Sequence, residues 1–208
     1  MKSLRIGSVV LAALVGGASL VGCEGGSQPP ASPRAGADSS EGAAVQGGTK
    51  MSLHDFKMKT IFGEERSLGD YRGKVVLVVN TASECGYTPQ YAGLEKLHER
   101  FEAKGFAVLG FPSNDYGAQE PGTDAEIATF CTSKYGVKFP MFSKIAVKGS
   151  GKHPLYAFLT QAAPAGEVKW NFEKFLVGKD GVVLGRFPSS VEPENDELVQ
   201  AIEKALGS

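Results

Sequence analysis

"KVVLVVNTASECGYTPQY", residues 74–91, decides how the chain is read. Its first half is a continuous aliphatic run, suited to a strand buried on both faces. Its second half carries Pro89 where the first turn of a helix tolerates a missing N–H. Tyr91, Leu94, Leu97, His98 and Phe101 then recur at helical spacing and predict a helix ending near Gly105. Cys85 sits in the few residues between strand and helix. Open α/β sheets place ligands at that carboxyl edge, and the amides of a helix start favour an anion, so a thiol there is expected to ionise more readily than a free one. Position alone leaves Cys85 open between a nucleophile and a small core residue.

Working outward, "FAVLGF" (106–111) predicts the next buried strand. "TDAEIATFCTSKY" opens on a threonine cap and an acidic first turn, which predicts a helix from Asp124 to Tyr135. "HPLYAFLTQ" predicts a short helix, "FEKFLVGKDGVVLGRF" a hairpin around Lys179-Asp180-Gly181, and "EPENDELVQAIEKAL" a terminal amphipathic helix. A βαβα order followed by a hairpin and a helix predicts an α/β domain of thioredoxin type, a central mixed sheet flanked by helices.

At 208 residues the chain has room for one domain plus extras. Its formal charge of −1, with both signs interspersed, excludes a field that would gather nucleic acid. The start, "MKSLRIGSVVLAALVGGASLVGC", has Lys2 and Arg5, an apolar stretch too short to span a bilayer, and small residues before Cys23. That is the layout of a secretory signal over residues 1–22. Its end, Leu20-Val21-Gly22-Cys23, resembles the lipobox of bacterial lipoproteins, which implies a lipidated Cys23; the alternative is ordinary signal cleavage. Residues 24–49 are rich in Gly, Ala, Ser and Pro and predict a flexible linker, spanning roughly 28 Å on average. Residues 23–49 are therefore read as lipidated cysteine and linker, and residues 50–208 as the folded domain. The expected location is the cell envelope, with the domain held to a membrane by its lipid and facing the periplasm or the exterior.

Three blocks of the domain resemble the glutathione peroxidase family. The stretch around Cys85 looks like the family's block around its peroxidatic cysteine or selenocysteine. "GFPSNDYGAQEPGT" (110–123) looks like its glutamine block, and "KWNFEKFLV" (169–177) like its tryptophan-asparagine block. The resemblance implies a catalytic set of Cys85, Gln119, Trp170 and Asn171. Read singly, Trp170 could be a core aromatic, Gln119 a surface turn residue and Asn171 a turn former. Attack on a peroxide needs a thiolate, and the developing oxyanions need donors aimed at them, which amide and indole N–H groups supply. Where the family often has Cys, Gln and Phe, this chain has Ser113, Asp115 and Tyr116. None of these belongs to the catalytic set.

Cys131 lies where the family's thioredoxin-dependent members carry a resolving cysteine, so the resemblance implies a disulfide with Cys85. A buried helical cysteine is the alternative. His54, His98 and His153 are isolated and complete no metal site; no cofactor is implied. The expected substrates are hydrogen peroxide and organic or lipid hydroperoxides, with a thioredoxin-like protein as donor. The alternatives are a one-cysteine cycle using glutathione and a non-enzymatic peroxide sensor. The region between Lys144 and Lys169 lacks the longer insertion that in some family members supports tetramers, so the resemblance implies a monomer.

Overall fold

The computed structural model describes residues 51–207; the expected signal, Cys23 and linker lie outside the described residues. The chain enters through a small antiparallel hairpin, β1 (Lys57–Lys59) and β2 (Glu65–Ser67). The main sheet follows, with β3 (Val75–Thr81), α1 (Gln90–Phe101), β4 (Phe106–Pro112) and α2 (Asp124–Tyr135) in chain order. After α3 (Pro154–Leu159) come the hairpin strands β5 (Lys174–Val177) and β6 (Val183–Phe187), and then α4 (Asp196–Gly207). The spatial order is β4-β3-β5-β6, with β3 parallel to β4 and antiparallel to β5. The sheet is therefore mixed, as expected, and the small β1–β2 hairpin is an addition that the pattern did not predict.

Every residue of β3 is buried, and its side chains alternate between two cores. Val75, Leu77 and Val79 face Leu94, Leu97 and Phe101 of α1, with Leu198 and Ile202 of α4. Val76 and Val78 face Leu155, Tyr156 and Leu159 of α3 together with Leu53, Leu68 and Phe175. Helices thus cover both faces. β3 and β4 are both buried along their whole length, which explains why the sequence shows runs rather than alternation.

Local chemistry sets the helix ends. Thr123 and Glu126 close a reciprocal capping box at the start of α2, and Gly136, at φ 64°, ends that helix. The start of α1 is held differently. Lys174 of β5, fully buried, donates from Nζ to Gln90 Oε1 and to the Val191 carbonyl, both at 2.6 Å. Burial lowers this ammonium to about 8. Gln90 Nε2 in turn donates to the Ser189 carbonyl at 2.8 Å. Buried polar groups are costly unless paired, so this network fixes where α1 begins relative to the sheet. It thereby fixes the loop that carries Cys85.

Candidate active site

Cys85 lies in the loop from β3 to α1, and Thr88 shapes that loop. The Cys85 N–H donates to Thr88 Oγ1 at 2.9 Å, the Thr88 hydroxyl donates to the Ala82 carbonyl at 2.9 Å, and the Thr88 N–H donates to the Cys85 carbonyl at 3.0 Å. The Tyr87 N–H donates to Cys85 Sγ at 3.4 Å. Only 7% of the residue is exposed, and its thiol is free. The sulfur is held at the carboxyl edge of the sheet with a backbone donor on it.

The glutamine block runs from the end of β4. Ser113 N–H donates to the Thr81 carbonyl at 3.0 Å, which keeps the chain beside β3. Gly117 and Ala118 then both take positive φ, 64° and 52°, and reverse its direction. The next residue is Gln119, whose carbonyl accepts the Glu84 N–H at 3.0 Å. The glutamine therefore abuts the residue preceding Cys85. A left-handed alanine is uncommon and costs about 1 kcal/mol or more, the kind of strain that gathers at functional sites.

Trp170 and Asn171 precede β5, and Asn80 of β3 clamps them. Asn80 Nδ2 donates to the Trp170 carbonyl at 3.0 Å, and Asn80 Oδ1 accepts the Glu173 N–H at 3.2 Å. The Asn80 carbonyl accepts the Phe172 N–H at 2.6 Å, with Phe172 at φ 63°. Asn171 is buried, and its Nδ2 donates to Gln119 Oε1 at 3.0 Å. Trp170 stays 39% exposed, its ring 5.4 Å from that of Tyr116. The Tyr116 hydroxyl donates to the Val168 carbonyl, joining the glutamine block to the tryptophan block. Arg186 donates to Glu173 and to the carbonyls of Gly166 and Glu167, holding the approach to Trp170 from the other side.

The fold thus brings the segments bearing Cys85, Gln119, Trp170 and Asn171 to one edge of the sheet, linked through Glu84–Gln119 and Gln119–Asn171. Cys131 belongs to the same core cluster, but it is a free thiol in α2, 1% exposed. Burial pushes it up to about 11. The histidines are structural: His98 Nδ1 accepts the Val108 N–H at 3.5 Å, His153 Nδ1 accepts the Leu155 N–H at 3.2 Å, and His54 is buried. Among the described residues no group of acidic, histidine and cysteine side chains is placed to hold a metal ion.

Sequence reasoning missed Asn80 and Tyr116. Asn80 had a signal, since a lone amide closing an otherwise aliphatic buried strand needs partners. Tyr116 had a weaker one, a hydroxyl where the family often has Phe.

A thioredoxin-like scaffold with a cysteine at the carboxyl edge of the sheet, and segments bearing Gln119, Trp170 and Asn171 brought to the same edge, fits a thiol peroxidase. The comparisons agree. The glutathione peroxidase family model matches residues 53–160. A hydroperoxy fatty acid reductase from Synechocystis is 48% identical over 164 residues, covering 74% of this chain and 96% of its own. A thioredoxin/glutathione peroxidase from Escherichia coli is 45% identical over 172 residues, covering 72% and 94%. Among solved structures, Trgpx in apo form matches with TM-score 0.63 at 41% identity, covering 76% of this chain and 97% of its own. A thiol:disulfide interchange protein from Chlorobium tepidum, at 24% identity and TM-score 0.55, shares the fold over 75% and 96% of the two chains. The chain belongs to the glutathione peroxidase family.

Proposed function

We propose that Cys85 is the peroxidatic nucleophile, that Cys131 resolves its oxidised form, and that a thioredoxin-like protein reduces the resulting disulfide. The Cys85 thiolate attacks the O–O bond of a hydroperoxide, releasing water or an alcohol and leaving a sulfenic acid. Gln119, Trp170 and Asn171 are the donors for the charge that develops on oxygen. The observation that carries this reading is the joining of Gln119 to both the Cys85 loop and Asn171. The substrates are hydrogen peroxide and organic or lipid hydroperoxides; the Synechocystis relative is a hydroperoxy fatty acid reductase. The protein acts as a monomer, tethered in the cell envelope by lipid on Cys23 and facing the periplasm or the exterior.

One observation favours a second reading. A resolving thiol pushed up to about 11 by burial is poorly nucleophilic where it stands, which suits a one-cysteine cycle closed by glutathione. Resolution by Cys131 therefore requires α2 to open. A steady-state hydrogen peroxide assay with thioredoxin in one arm and glutathione in the other tests the choice. Faster consumption of thioredoxin is expected, and turnover with glutathione alone overturns the two-cysteine cycle.

A further inference from the structure

Around the two cysteines lies a group of buried polar atoms, Thr81 Oγ1, Ser83 Oγ, Tyr91 Oη, both carboxyl oxygens of Glu120, and Asn171 Oδ1, in which Tyr91 neighbours Thr81 and Cys131, and Glu120 neighbours Ser83. Buried polar groups are ordinarily paired, so several together need an account. Glu120 is the extreme case. It is 0% exposed, follows Gln119 directly, and lies between the Cys85 loop and the first turn of α2. Its backbone is fixed, since its N–H donates to Asn114 Oδ1 at 2.8 Å and its carbonyl accepts Lys144 Nζ at 2.9 Å. Its carboxylate is buried with the Ser83 hydroxyl and N–H as neighbours, and it lines a cleft of about 390 Å³ shared with Ser83, Glu84 and Phe130.

We propose that Glu120 is the proton acceptor of the resolving step, taking the proton of the Cys131 thiol as that sulfur attacks oxidised Cys85. The inference rests on the reading of Cys131 as the resolving cysteine. The Cys131 sulfur bonds to the Cys85 sulfenic sulfur and is oxidised; the sulfenic S–O bond breaks and the Cys85 sulfur is reduced. The departing hydroxide recovers the proton from Glu120 and leaves as water, and the carboxylate is restored. Charge, atoms and electrons balance with no further reactant.

Three observations single out Glu120 for this task. Burial raises its carboxyl to about 7, so the carboxylate and the acid are both accessible near neutrality. Its charge acts on both Cys131 and Tyr91, and the Tyr91 hydroxyl neighbours the Cys131 thiol. Competing groups are otherwise engaged: Glu126 Oε2 accepts from the Thr123 N–H and hydroxyl, Glu84 is exposed, and Lys144 is a cation. From the Cys85 loop, Ser83 and Glu84 face Glu120; Lys144 faces it from the segment before α3, Cys131 and Glu126 from α2, and Tyr91 from α1.

The test follows the two steps separately in the full chain. Stopped-flow fluorescence of Trp170, the only tryptophan, with quenched-flow peptide mapping reads sulfenic acid formation and then the disulfide. In the parent the disulfide rate is expected to rise with pH around an inflection near neutrality. In Glu120→Gln the ratio of disulfide rate to oxidation rate is expected to fall about 10²-fold and to lose that inflection. Glu120→Asp should restore part of it. Hydrogen exchange of the α2 amides should match in parent and Glu120→Gln. An unchanged ratio in Glu120→Gln overturns the inference, and so does a fall accompanied by an equal change in α2 protection, which would make Glu120 a brace for the helix. If the parent forms no Cys85–Cys131 disulfide, the resolving cysteine itself is wrong, an outcome distinct from either.

Discussion

Asn171 Nδ2 donates to Gln119 Oε1 across 3.0 Å, so one member of the donor set consumes the acceptor of another. An amide whose oxygen is occupied presents its N–H₂ in a fixed direction, so Gln119 is left free to act as a donor. Asn171 acts on the site at least partly through Gln119. The two residues are joined across 52 positions of sequence, and only the fold, through Asn80 and the left-handed Ala118, brings them within reach.

This coupling has a kinetic consequence. Gln119→Ala and Asn171→Ala should each slow single-turnover oxidation of Cys85 by about 10²-fold, the usual cost of removing one oxyanion donor. The double variant should lose much less than the product, because residues in one hydrogen-bonded unit do not add. Full multiplicativity in stopped-flow traces would mean that the two amides act independently.

Tyr116 offers a stability test in the same region. Its hydroxyl gives the buried Val168 carbonyl a donor that a phenylalanine cannot supply. Tyr116→Phe should cost about 1–3 kcal/mol, since the carbonyl is left unpaired, which is a fall of about 2–4 °C in Tm for each kcal/mol in a domain of this size. Differential scanning calorimetry checks it. An unchanged Tm would show that the bond contributes nothing net.

The elements legible in the sequence were those whose signals are local. The bounds of α2 follow from Thr123 and Glu126 at one end and Gly136 at the other, and the β5–β6 turn from Lys179-Asp180-Gly181. The β1–β2 hairpin escaped because its strands are three residues each, with Met58 the single buried apolar side chain among them. The three blocks resembling the family were recognisable in the sequence, but their mutual geometry was not, because Asn80 reaches Trp170 across 90 positions. Glu120 reads as a polar loop residue beside Pro121, and only the packing of α2 against the Cys85 loop buries it.

Burial of Glu120 also makes stability depend on pH. Its folded value, about 7, lies above the ordinary 4.5, so the fold prefers the protonated form. The stability that form contributes is complete below the unfolded value and is lost as pH rises through the folded one. Glu120→Gln, which stays neutral, should therefore gain on the parent between about pH 5 and about pH 8 in urea midpoint. An advantage of equal size at both pH values would show that the carboxyl of Glu120 is not raised in the folded protein above its unfolded value.

The proposed anchor predicts a change of compartment. Cys23→Ala should move the protein from the membrane fraction to the soluble fraction or leave the signal uncleaved. Mass spectrometry of the mature N-terminus reads the modification directly, and an unmodified Cys23 would refute it.

The remaining prediction separates the two reductants. Cys131 is the only other cysteine of residues 50–208, and hydrogen peroxide should convert it and Cys85 into an intramolecular disulfide. A dithiol donor attacks one sulfur of such a bond and frees itself with its second thiol, whereas two glutathiones must arrive in succession. Both thiols are free in the structure and Cys131 is buried, so α2 must open before the sulfurs meet, with α-carbons brought to about 7 Å or less. Cys131→Ser should stop thioredoxin-driven turnover and leave the first oxidation of Cys85 nearly unchanged, because Cys131 takes no part in breaking the O–O bond. Cys85→Ser should abolish both. Without its resolving partner, Cys85 should accumulate as sulfenic and then sulfinic acid under excess peroxide. Peptide mapping of the oxidised parent and stopped-flow on Cys131→Ser decide the matter. A missing Cys85–Cys131 peptide, with normal thioredoxin turnover in Cys131→Ser, would leave the glutathione-closed cycle as the mechanism.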